Sequence, residues 1–562
     1  MPFLPTTKKE IRKLGWDRPD IIIVTGDSYI DSPYMGTAVI GRILEDAGFR
    51  VAIIAQPDTS SEKDIKRLGS PRLFWGITSG SVDSMVANYT ATGKRRKSDD
   101  YTPGGINNRR PDRSIIVYTN LIKRYFKGDK APIVLGGIEA SLRRISHYDF
   151  KTDKIRRSVL LDSKADLLVY GMGEKSAVAL AKAMDAGTEY RDIRGICYIS
   201  KEKREDYIVL PPYEEVLNDR RKFIDCFHIF YKNNDPISGK GLIQKHGDRY
   251  LVHNPPSLTL SEKELDRIYD LDFQRGLHPY YGKDGEVRAL DTIKFSIPTH
   301  RGCYGECNFC AIAVHEGRTV QSRSAGSILR EVRRMSSHPD FKGYIRDVGG
   351  PTANMYGFEC QRKLEKGSCG NRRCLYPETC PNLKPDHSKQ IDLLRKIRKV
   401  RGVKNAFVAS GIRYDLLFND RANCLNYLKE IISHHVSGQM KVAPEHSQRN
   451  ILDLMGKPDT VSLLEFKKLF DRFSKLVSKK QFLTYYFIAA HPGCRLDDMR
   501  NLKNFVKVKL DIKPEQVQIF TPTPSTYSTL MYFTGLNPFT GEKIMVEKSI
   551  KGKEKQKRVL TA

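Results

Sequence analysis

Three cysteines at C-x₃-C-x₂-C spacing constrain this chain more than any other feature. Cys303, Cys307 and Cys310 lie in one short segment, directly after an apolar run that predicts a strand at Thr292–Ile297. Thiolates ligate iron–sulfur clusters, usually four to a cubane. A loop that supplies only three cysteines therefore leaves one iron without a protein ligand. An open coordination position is a reactive one. The spacing therefore predicts a [4Fe-4S] cluster; a zinc knuckle is the alternative, although zinc sites usually add a distant second cysteine pair.

Most of the other cysteines are also clustered. Seven of the eleven lie between residues 303 and 380, which is typical of metal ligation rather than of a disulfide framework. A polar, turn-rich insert at residues 355–385 contains four of them, and its thiols have little core to fill. They predict a second metal site, and both zinc and a second iron–sulfur cluster are possible there. The residues are Cys360, Cys369, Cys374 and Cys380.

The chain is strongly basic, with a formal net charge of +29 and a pI near 9.5. This charge predicts attraction to polyanions such as RNA, and a solvated basic surface is the alternative. No apolar run approaches the roughly 20 residues of a membrane span, and the first residues lack a signal-peptide core, so we expect a cytoplasmic protein without membrane contact. The basic segment 531–562 predicts a disordered tail.

Strand and helix patterns alternate over residues 1–200. Short apolar runs there predict a parallel sheet with helices on both faces, a Rossmann-like domain. Its strands are expected at Ile21–Val24, Val51–Ala55, Leu73–Ile77, Ile133–Leu135 and Leu167–Tyr170. Residues 201–285 have weak periodicity and predict a connector.

Strands recur with intervening helices over residues 286–530, which predicts a second α/β domain. After Thr292–Ile297 they are expected at Gly343–Val348, Asn405–Ala409, Gln439–Val442, Leu483–Ile488 and Gln516–Phe520.

The cysteine motif, with Phe309 before its last cysteine, resembles the signature of the radical S-adenosylmethionine (radical SAM) superfamily. The resemblance implies that the six β/α repeats form a partial TIM barrel, (β/α)₆, with the chemistry at the carboxyl ends of the strands. It also implies that S-adenosylmethionine chelates the open iron. An electron from the cluster, supplied by a reductant such as flavodoxin or ferredoxin, would then generate a 5′-deoxyadenosyl radical.

Several strand ends carry residues that the resemblance assigns to the cofactor. Gly349 and Gly350 resemble the family's turn for the amino group of S-adenosylmethionine. Arg413 could clamp its carboxylate, and Ser410 could reach the ribose. A helix cap or a surface ion pair is the alternative for these two.

Glu445, His446 and His491 follow two further strands, in an order similar to that of radical SAM methylthiotransferases. At the barrel mouth they could transfer protons or bind substrate, and a turn-forming role is the alternative.

The whole chain resembles the YgiQ-like family of radical SAM proteins. Two loops of the first domain, at residues 136–141 and 171–176, also look like those of cobalamin-binding domains. However, the Asp-x-His-x-x-Gly motif that supplies a cobalt ligand is absent, which makes cobalamin doubtful. The leading hypothesis is a radical SAM enzyme of unknown substrate. A methylthiotransferase-like, RNA-modifying activity is the first alternative, and a non-catalytic iron–sulfur redox sensor or nucleic-acid-binding module is the second.

Overall fold

The structure, a computed structural model, describes residues 2–561 and divides into two units. The first unit contains the described residues up to Thr259 together with Leu271–Lys294, and the second contains Leu260–Asp270 and the described residues from Phe295 onward. The division falls at residue 294 rather than 285, because Val287 and Ala289 pack in the hydrophobic core of the first unit. No helix within residues 2–561 is long and apolar enough to cross a bilayer.

The strands of the first unit are β1 (Ile21–Thr25), β2 (Ile30–Asp31), β3 (Val51–Ala55), β4 (Phe74–Thr78), β5 (Ile133–Leu135), β6 (His147–Asp149), β7 (Lys154–Arg156), β8 (Leu167–Val169), β9 (Ile196–Ser200), β10 (Ile208–Leu210), β11 (Leu242–His246), β12 (Arg249–His253) and β13 (Gly276–Leu277). Those of the second are β14 (Ile297–Pro298), β15 (His300–Arg301), β16 (Gln321–Ser322), β17 (Tyr344–Ile345), β18 (Val348–Gly349), β19 (Asn405–Ala406), β20 (Gln439–Glu445), β21 (Phe482–Ala489) and β22 (Gln516–Ile519).

The α-helices, in chain order, are α1 (Lys8–Lys13), α2 (Gly36–Asp46), α3 (Ser84–Asn88), α4 (Ser114–Tyr125), α5 (Gly137–Leu142), α6 (Val159–Ser163), α7 (Glu174–Ala186), α8 (Tyr213–Asn218), α9 (Arg220–Lys232), α10 (Glu262–Asp270), α11 (Ala289–Ile293), α12 (Ile312–His315), α13 (Ala325–Ser336), α14 (Gln361–Lys366), α15 (Ser388–Arg398), α16 (Tyr414–Phe418), α17 (Cys424–His434), α18 (Arg449–Met455), α19 (Val461–Leu476), α20 (Leu496–Phe505), α21 (Tyr527–Thr534) and α22 (Ile550–Thr561).

A nine-stranded, mostly parallel sheet forms the first unit, in the order β10-β11-β12-β9-β8-β5-β4-β1-β3. Strands β3, β1, β4, β5 and β8 are parallel and include the five predicted ones. Every residue of β1 and β3 is buried, as expected for parallel strands covered on both faces. The predicted Rossmann-like fold is confirmed.

The predicted connector is part of this sheet. Strands β11 and β12 form a hairpin in which His246 pairs with Arg249, so the loop is the two residues Gly247 and Asp248. Gly247 has a positive φ of 61°, which favours glycine in such a turn. The Gly-Asp dipeptide was therefore a hairpin signal that the weak periodicity concealed.

Parallel strand segments follow one another in chain order in the second unit. Strand β14 pairs with β18, β17 pairs with β19, and β20, β21 and β22 form a parallel sheet. A parallel bridge from Ile412 to Val442 links the segment after β19 to β20. This is the predicted partial (β/α)₆ barrel. Its first strand is shorter than predicted, because α11 occupies the chain as far as Ile293.

The predicted disordered tail differs most from the structure, which has the helix α22 there. Lys553, Gln556 and Leu560 are buried at i, i+3 and i+7 spacing, on one helix face. The side chain of Gln556 accepts from Ala490 N at 2.9 Å and donates to Cys494 O at 3.0 Å. The many charged residues of this segment obscured the helical spacing of its buried residues in the sequence.

Candidate functional site

The three-cysteine loop runs from β15 to α12 in the second unit. It turns sharply at Gly302, whose φ is +79° and where a Cβ atom would lie 2.2 Å from Thr319 O. A Cβ at Gly305 would lie 3.2 Å from Cys303 Sγ and 3.6 Å from Cys307 Sγ. The two sulfurs thus flank one glycine, and the Gly305 N–H donates to Cys303 Sγ at 3.3 Å.

The thiols of this loop are partly shielded from solvent and form no disulfide. Burial raises the pKa of the Cys303 and Cys310 thiols, so both are protonated at neutral pH without a metal. Within residues 2–561, no three His, Cys, Asp or Glu side chains lie close enough together to share one metal ion. Each cysteine of a cubane binds its own iron, so the donor set fits an iron–sulfur cluster better than zinc.

Arg413 lies beside the cysteine loop, but its guanidinium is already engaged. Its Nε and Nη2 donate to the two carboxylate oxygens of Asp415, at 2.8 and 2.6 Å. Its Nη1 lies 3.6 Å from Cys307 Sγ. The expected bidentate clamp on a carboxylate is therefore made to Asp415, and Nη1 is left facing the cluster loop. The acidic partner, Asp415, was not among the predicted site residues.

The two glycines after β18 lie against the neighbouring strand ends. A Cβ at Gly349 would come 2.8 Å from Ser410 Oγ, and a Cβ at Gly350 would come 2.7 Å from the His300 ring. Ser410 donates its hydroxyl to Asp347, whose Oδ1 also accepts from the N–H of Ser410 at 3.1 Å. Asp347 thus fixes the strand end that Ser410 occupies, a role that the sequence did not indicate.

Glu445 ends β20 as a buried carboxyl with a positive φ of 67°. Burial raises its pKa from 4.5 to about 7, although Lys457 and Arg413 oppose the rise. Lys457 Nζ lies 3.9 Å from Glu445 Oε1 and donates to Ala443 O at 2.5 Å. A carboxyl that titrates near neutrality could exchange a proton at the barrel mouth.

This raised pKa predicts a pH-dependent stability. Ionising Glu445 in the folded chain is unfavourable. The stability that its protonated carboxyl contributes is therefore fully present below pH 4.5 and is lost as the pH rises through about 7. The difference corresponds to about 3 kcal/mol, since one pKa unit is about 1.4 kcal/mol. We expect Glu445→Gln to flatten the fall in stability between these pH values, measured by chemical unfolding of the cluster-free chain. Glu465→Gln, at an exposed carboxylate, should leave the slope unchanged; equal slopes for wild type and Glu445→Gln would contradict the assignment.

The two predicted histidines are buried and neutral. Burial lowers the pKa of both His446 and His491 to about 3. His491 Nδ1 lies 2.8 Å from Pro492 O, to which it can only donate, so its Nε2 accepts from Ser528 Oγ at 2.7 Å. His491 also makes an edge contact with Phe309, with ring centroids 6.5 Å apart. These contacts favour a structural role for His491 behind the cysteine loop.

The cysteine-rich insert packs beside the same loop. Three of its four thiols, those of Cys360, Cys374 and Cys380, share one buried cluster with Tyr304, and Cys303 packs against that cluster. Cys369 is separate and accepts from Arg362 Nη1 at 2.7 Å. The structure thus brings three members of the predicted second site together.

A buried charge cluster, which the sequence did not reveal, ties the insert to the cysteine loop. Glu306 is 7% exposed and has a positive φ of 46°. Its carboxylate lies 3.6 Å from Arg318 and 3.7 Å from Lys363 of α14. Lys363 also donates to Cys374 Sγ at 3.3 Å. Two cations thus compensate one buried carboxylate inside the C-x₃-C-x₂-C segment.

In the first unit, the loops at the carboxyl ends of β1 and β4 are in close contact with each other. A Cβ at Gly26 would lie 2.3 Å from Ser79 O, and one at Gly80 would lie 2.2 Å from the Asp27 carboxyl group. The fully buried Arg110 bridges Asp27 at 2.7 Å and Asp99 at 3.0 Å. Side chains of this chain therefore fill the edge where a Rossmann-like sheet binds ligands.

Comparisons with known proteins agree with this architecture. The family model described as Radical SAM N-terminal matches residues 3–296, so the chain belongs to the radical SAM superfamily. UPF0313 protein FN0734 of Fusobacterium nucleatum is 56% identical over 561 residues, which are 100% of this chain and 99% of that protein. A UPF0313 protein of Thermotoga maritima is 50% identical over 558 residues, 99% and 98% of the two chains. Within the superfamily the chain thus belongs to the UPF0313, YgiQ-like family, which confirms the predicted resemblance.

Two solved structures share the fold. The radical S-adenosylmethionine methyltransferase TsrM from Kitasatospora setae, with cobalamin and a [4Fe-4S] cluster bound, has a TM-score of 0.51 and 14% identity, covering 90% of this chain and 76% of that one. The cobalamin-dependent S-adenosylmethionine radical enzyme OxsB, with aqua-cobalamin bound, has a TM-score of 0.51 and 13% identity, covering 92% and 56%. Identities this low show the fold alone.

Proposed function

We propose that this protein is a radical SAM enzyme with a [4Fe-4S] cluster on Cys303, Cys307 and Cys310. The observation that carries the proposal is the C-x₃-C-x₂-C loop, in which the sulfurs of Cys303 and Cys307 flank Gly305 and Arg413 Nη1 lies 3.6 Å from Cys307 Sγ. When bound, the reduced cluster supplies one electron that cleaves S-adenosylmethionine to methionine and a 5′-deoxyadenosyl radical. That radical would abstract hydrogen from a substrate whose identity is open.

This chain's own residues would bind and orient S-adenosylmethionine. The carbonyl of Gly349 already accepts from Thr299 N at 2.7 Å, so we assign the amino group to the backbone at Gly350. Arg413 would offer Nη1 to the carboxylate while Asp415 holds the rest of its guanidinium. Ser410, fixed by Asp347, would offer its lone pairs to the ribose, and Glu445 would hold or release a proton at the barrel mouth.

We further propose that the insert holds a second metal centre through Cys360, Cys374 and Cys380. Their common cluster beside Cys303 supports this assignment. An iron–sulfur cluster is its first candidate, and zinc is the second because these thiols would have to move closer together to share one ion. Free thiols and oxygen-sensitive clusters favour the reducing cytoplasm. The electron would come from an acidic one-electron carrier of the flavodoxin or ferredoxin kind, attracted by the basic surface.

Production of 5′-deoxyadenosine tests the proposed activity. The protein is reconstituted anaerobically with iron and sulfide, reduced with dithionite and mixed with S-adenosylmethionine, and the products are separated by chromatography. We expect 5′-deoxyadenosine and methionine in equal amounts, released slowly because no substrate is present. A reconstituted cluster that never yields 5′-deoxyadenosine would indicate the non-catalytic redox sensor instead.

We propose that the first unit does not bind cobalamin, although the TsrM and OxsB structures contain it. Arg110, Asp27 and Asp99 occupy the sheet edge with paired charges, and separating a buried ion pair is costly. We therefore expect no change in the absorption spectrum of hydroxocobalamin on titration with the protein. Stoichiometric retention of cobalamin after gel filtration would contradict this assignment.

A further inference from the structure

Four exposed cations line one groove of the second unit. The groove has a volume of about 870 Å³ and lies between the C-terminal ends of α13 and α15. Its cations are Arg333, Lys396, Lys399 and Arg401, and none is within ion-pair distance of a carboxylate among the described residues. Four like charges facing one concave surface attract anions.

Helix-end electrostatics do not explain this arrangement. Basic residues near helix C-termini are favourable in general. However, three other arginines of the same two helix ends are paired: Arg334 with Asp270, and Arg395 and Arg398 with Glu430. Lys399 and Arg401 also lie beyond the end of α15. Among the described residues of these two helix ends, the cations without a carboxylate partner are thus the ones that face the groove.

The groove lining combines these cations with aliphatic side chains. Leu329 and Val400 contribute the apolar groups, and the hydroxyls of Ser336 and Ser337 donate to Arg333 O, at 2.9 and 3.3 Å. Protein–protein interfaces usually depend on buried aromatic anchors, which this lining lacks. Lysine and arginine side chains are typical donors to phosphate oxygens. The lining therefore suits a chain of phosphates better than an acidic protein.

An exposed aromatic residue, Tyr344, directly follows a glycine that contacts the groove lining. Tyr344, the first residue of β17, is 41% exposed, and Lys404 Nζ lies 6.0 Å from its ring centroid. Close contacts link the residue before Tyr344 to the groove: a Cβ at Gly343 would lie 3.1 Å from Gly402 O, and one at Gly402 would lie 3.4 Å from Ser336 Cβ. An exposed ring beside a cationic track is the arrangement on which unpaired bases stack.

We propose that this groove binds single-stranded nucleic acid, with phosphates on the four cations and a base stacked on Tyr344. Tyr344 is the first residue of β17 and lies at the N-terminal end of a strand. The cysteine loop and Gly349 lie instead at the C-terminal ends of strands. The groove is therefore a docking surface remote from the candidate cluster, and its assignment does not depend on the proposed radical chemistry.

Fluorescence anisotropy with the full, anaerobically reconstituted chain tests this proposal. Labelled RNA and DNA single strands of about 16 nucleotides are titrated between about 50 and about 200 mM salt. In a variant carrying R333A, K396A, K399A and R401A, we expect at least tenfold weaker binding and a salt slope reduced by about 3, since each single-strand phosphate contact contributes about 0.7. The matched control removes four exposed lysines elsewhere in the unit, with K468A, K475A, K507A and K509A, and should bind like wild type.

A second pair of variants tests the stacking contact. Tyr344→Ala should weaken binding about tenfold without changing the salt slope, because base stacking carries no charge. Phe482→Ala removes an aromatic ring that is 53% exposed at the start of β21 and should have no effect. Equal losses in the groove and control variants, a preference for duplex, or equal competition by polyglutamate would each overturn the proposal. Tight binding of RNA alone or of both RNA and DNA would support it, and thermal melts verify that each variant is folded.

Discussion

Replacing Cys303, Cys307 and Cys310 with alanine should abolish 5′-deoxyadenosine production and remove the iron of the catalytic cluster. Thiolates are the cluster's only protein ligands in this assignment, and alanine offers none. The sulfurs of Cys303 and Cys307 flank Gly305, and Arg413 Nη1 lies 3.6 Å from Cys307 Sγ. The measurements are iron and sulfide content, electron paramagnetic resonance of the reduced protein, and product chromatography.

The same variant separates the two cysteine groups. Any iron that it retains must be held elsewhere, and we expect that iron to disappear when Cys360, Cys374 and Cys380 are replaced as well. Retained zinc would instead identify the insert as a zinc site. Cys424→Ala, at a buried cysteine of α17, is the control and should keep full iron content. A triple variant with undiminished iron and product would refute the cluster assignment.

Continuous apolar runs made much of the fold predictable. The five parallel strands of the first sheet appear where short apolar runs predicted them, because strands such as β1 and β3 are buried on both faces. Most of the barrel strands also appear near their predicted positions, although β20 and β21 alternate buried and more exposed residues. The hairpin β11–β12 and the helix α22 were missed for a different reason. Buried polar residues such as Gln244 and His253 interrupt the apolar runs of the hairpin, and α22 is rich in exposed charged residues. The signals lay in one Gly-Asp turn and in the spacing of Lys553, Gln556 and Leu560.

Only part of the candidate site could be predicted, because its partners are distant in sequence. The cysteine spacing is local and identifies the loop by itself. Asp415 is only two residues from Arg413, but Asp347 meets Ser410 across 63 residues, and Glu306 meets Lys363 across 57. No local pattern marks such pairs, since the barrel brings them together. The residues assigned to S-adenosylmethionine therefore remain predictions, now with defined neighbours.

The buried cluster around Glu306 helps to fix the shape of the cysteine loop. Positive φ angles at Gly302 and Glu306 bend the loop, and such angles are unfavourable for a residue with a side chain. Arg318 and Lys363 hold the Glu306 carboxylate, and Arg373 donates to the Glu306 carbonyl at 3.1 Å. The loop conformation thus depends on both glycine geometry and ion pairing, and the glycine is the simpler part to test.

Gly302→Ala should destroy the cluster site while leaving all three thiols in the sequence. An added Cβ would lie 2.2 Å from Thr319 O, so the loop or the facing backbone must move. We expect the alanine to cost ~4 kcal/mol or more in loop stability, in the range of severe core substitutions. Iron content after anaerobic reconstitution should fall to the level of the variant that lacks Cys303, Cys307 and Cys310, and 5′-deoxyadenosine should not form.

Gly317→Ala is the matched control, because Gly317 also has a positive φ, of 103°, but no atom lies within 4 Å of the point where its Cβ would be added. The control therefore bears conformational strain of roughly 1–2 kcal/mol and no steric clash. It should still assemble the cluster, since its carbonyl can accept from Cys303 N, 3.3 Å away in the wild type. If Gly302→Ala bound iron as well as Gly317→Ala, the tight turn at Gly302 would not be what positions the cysteine loop for a cluster.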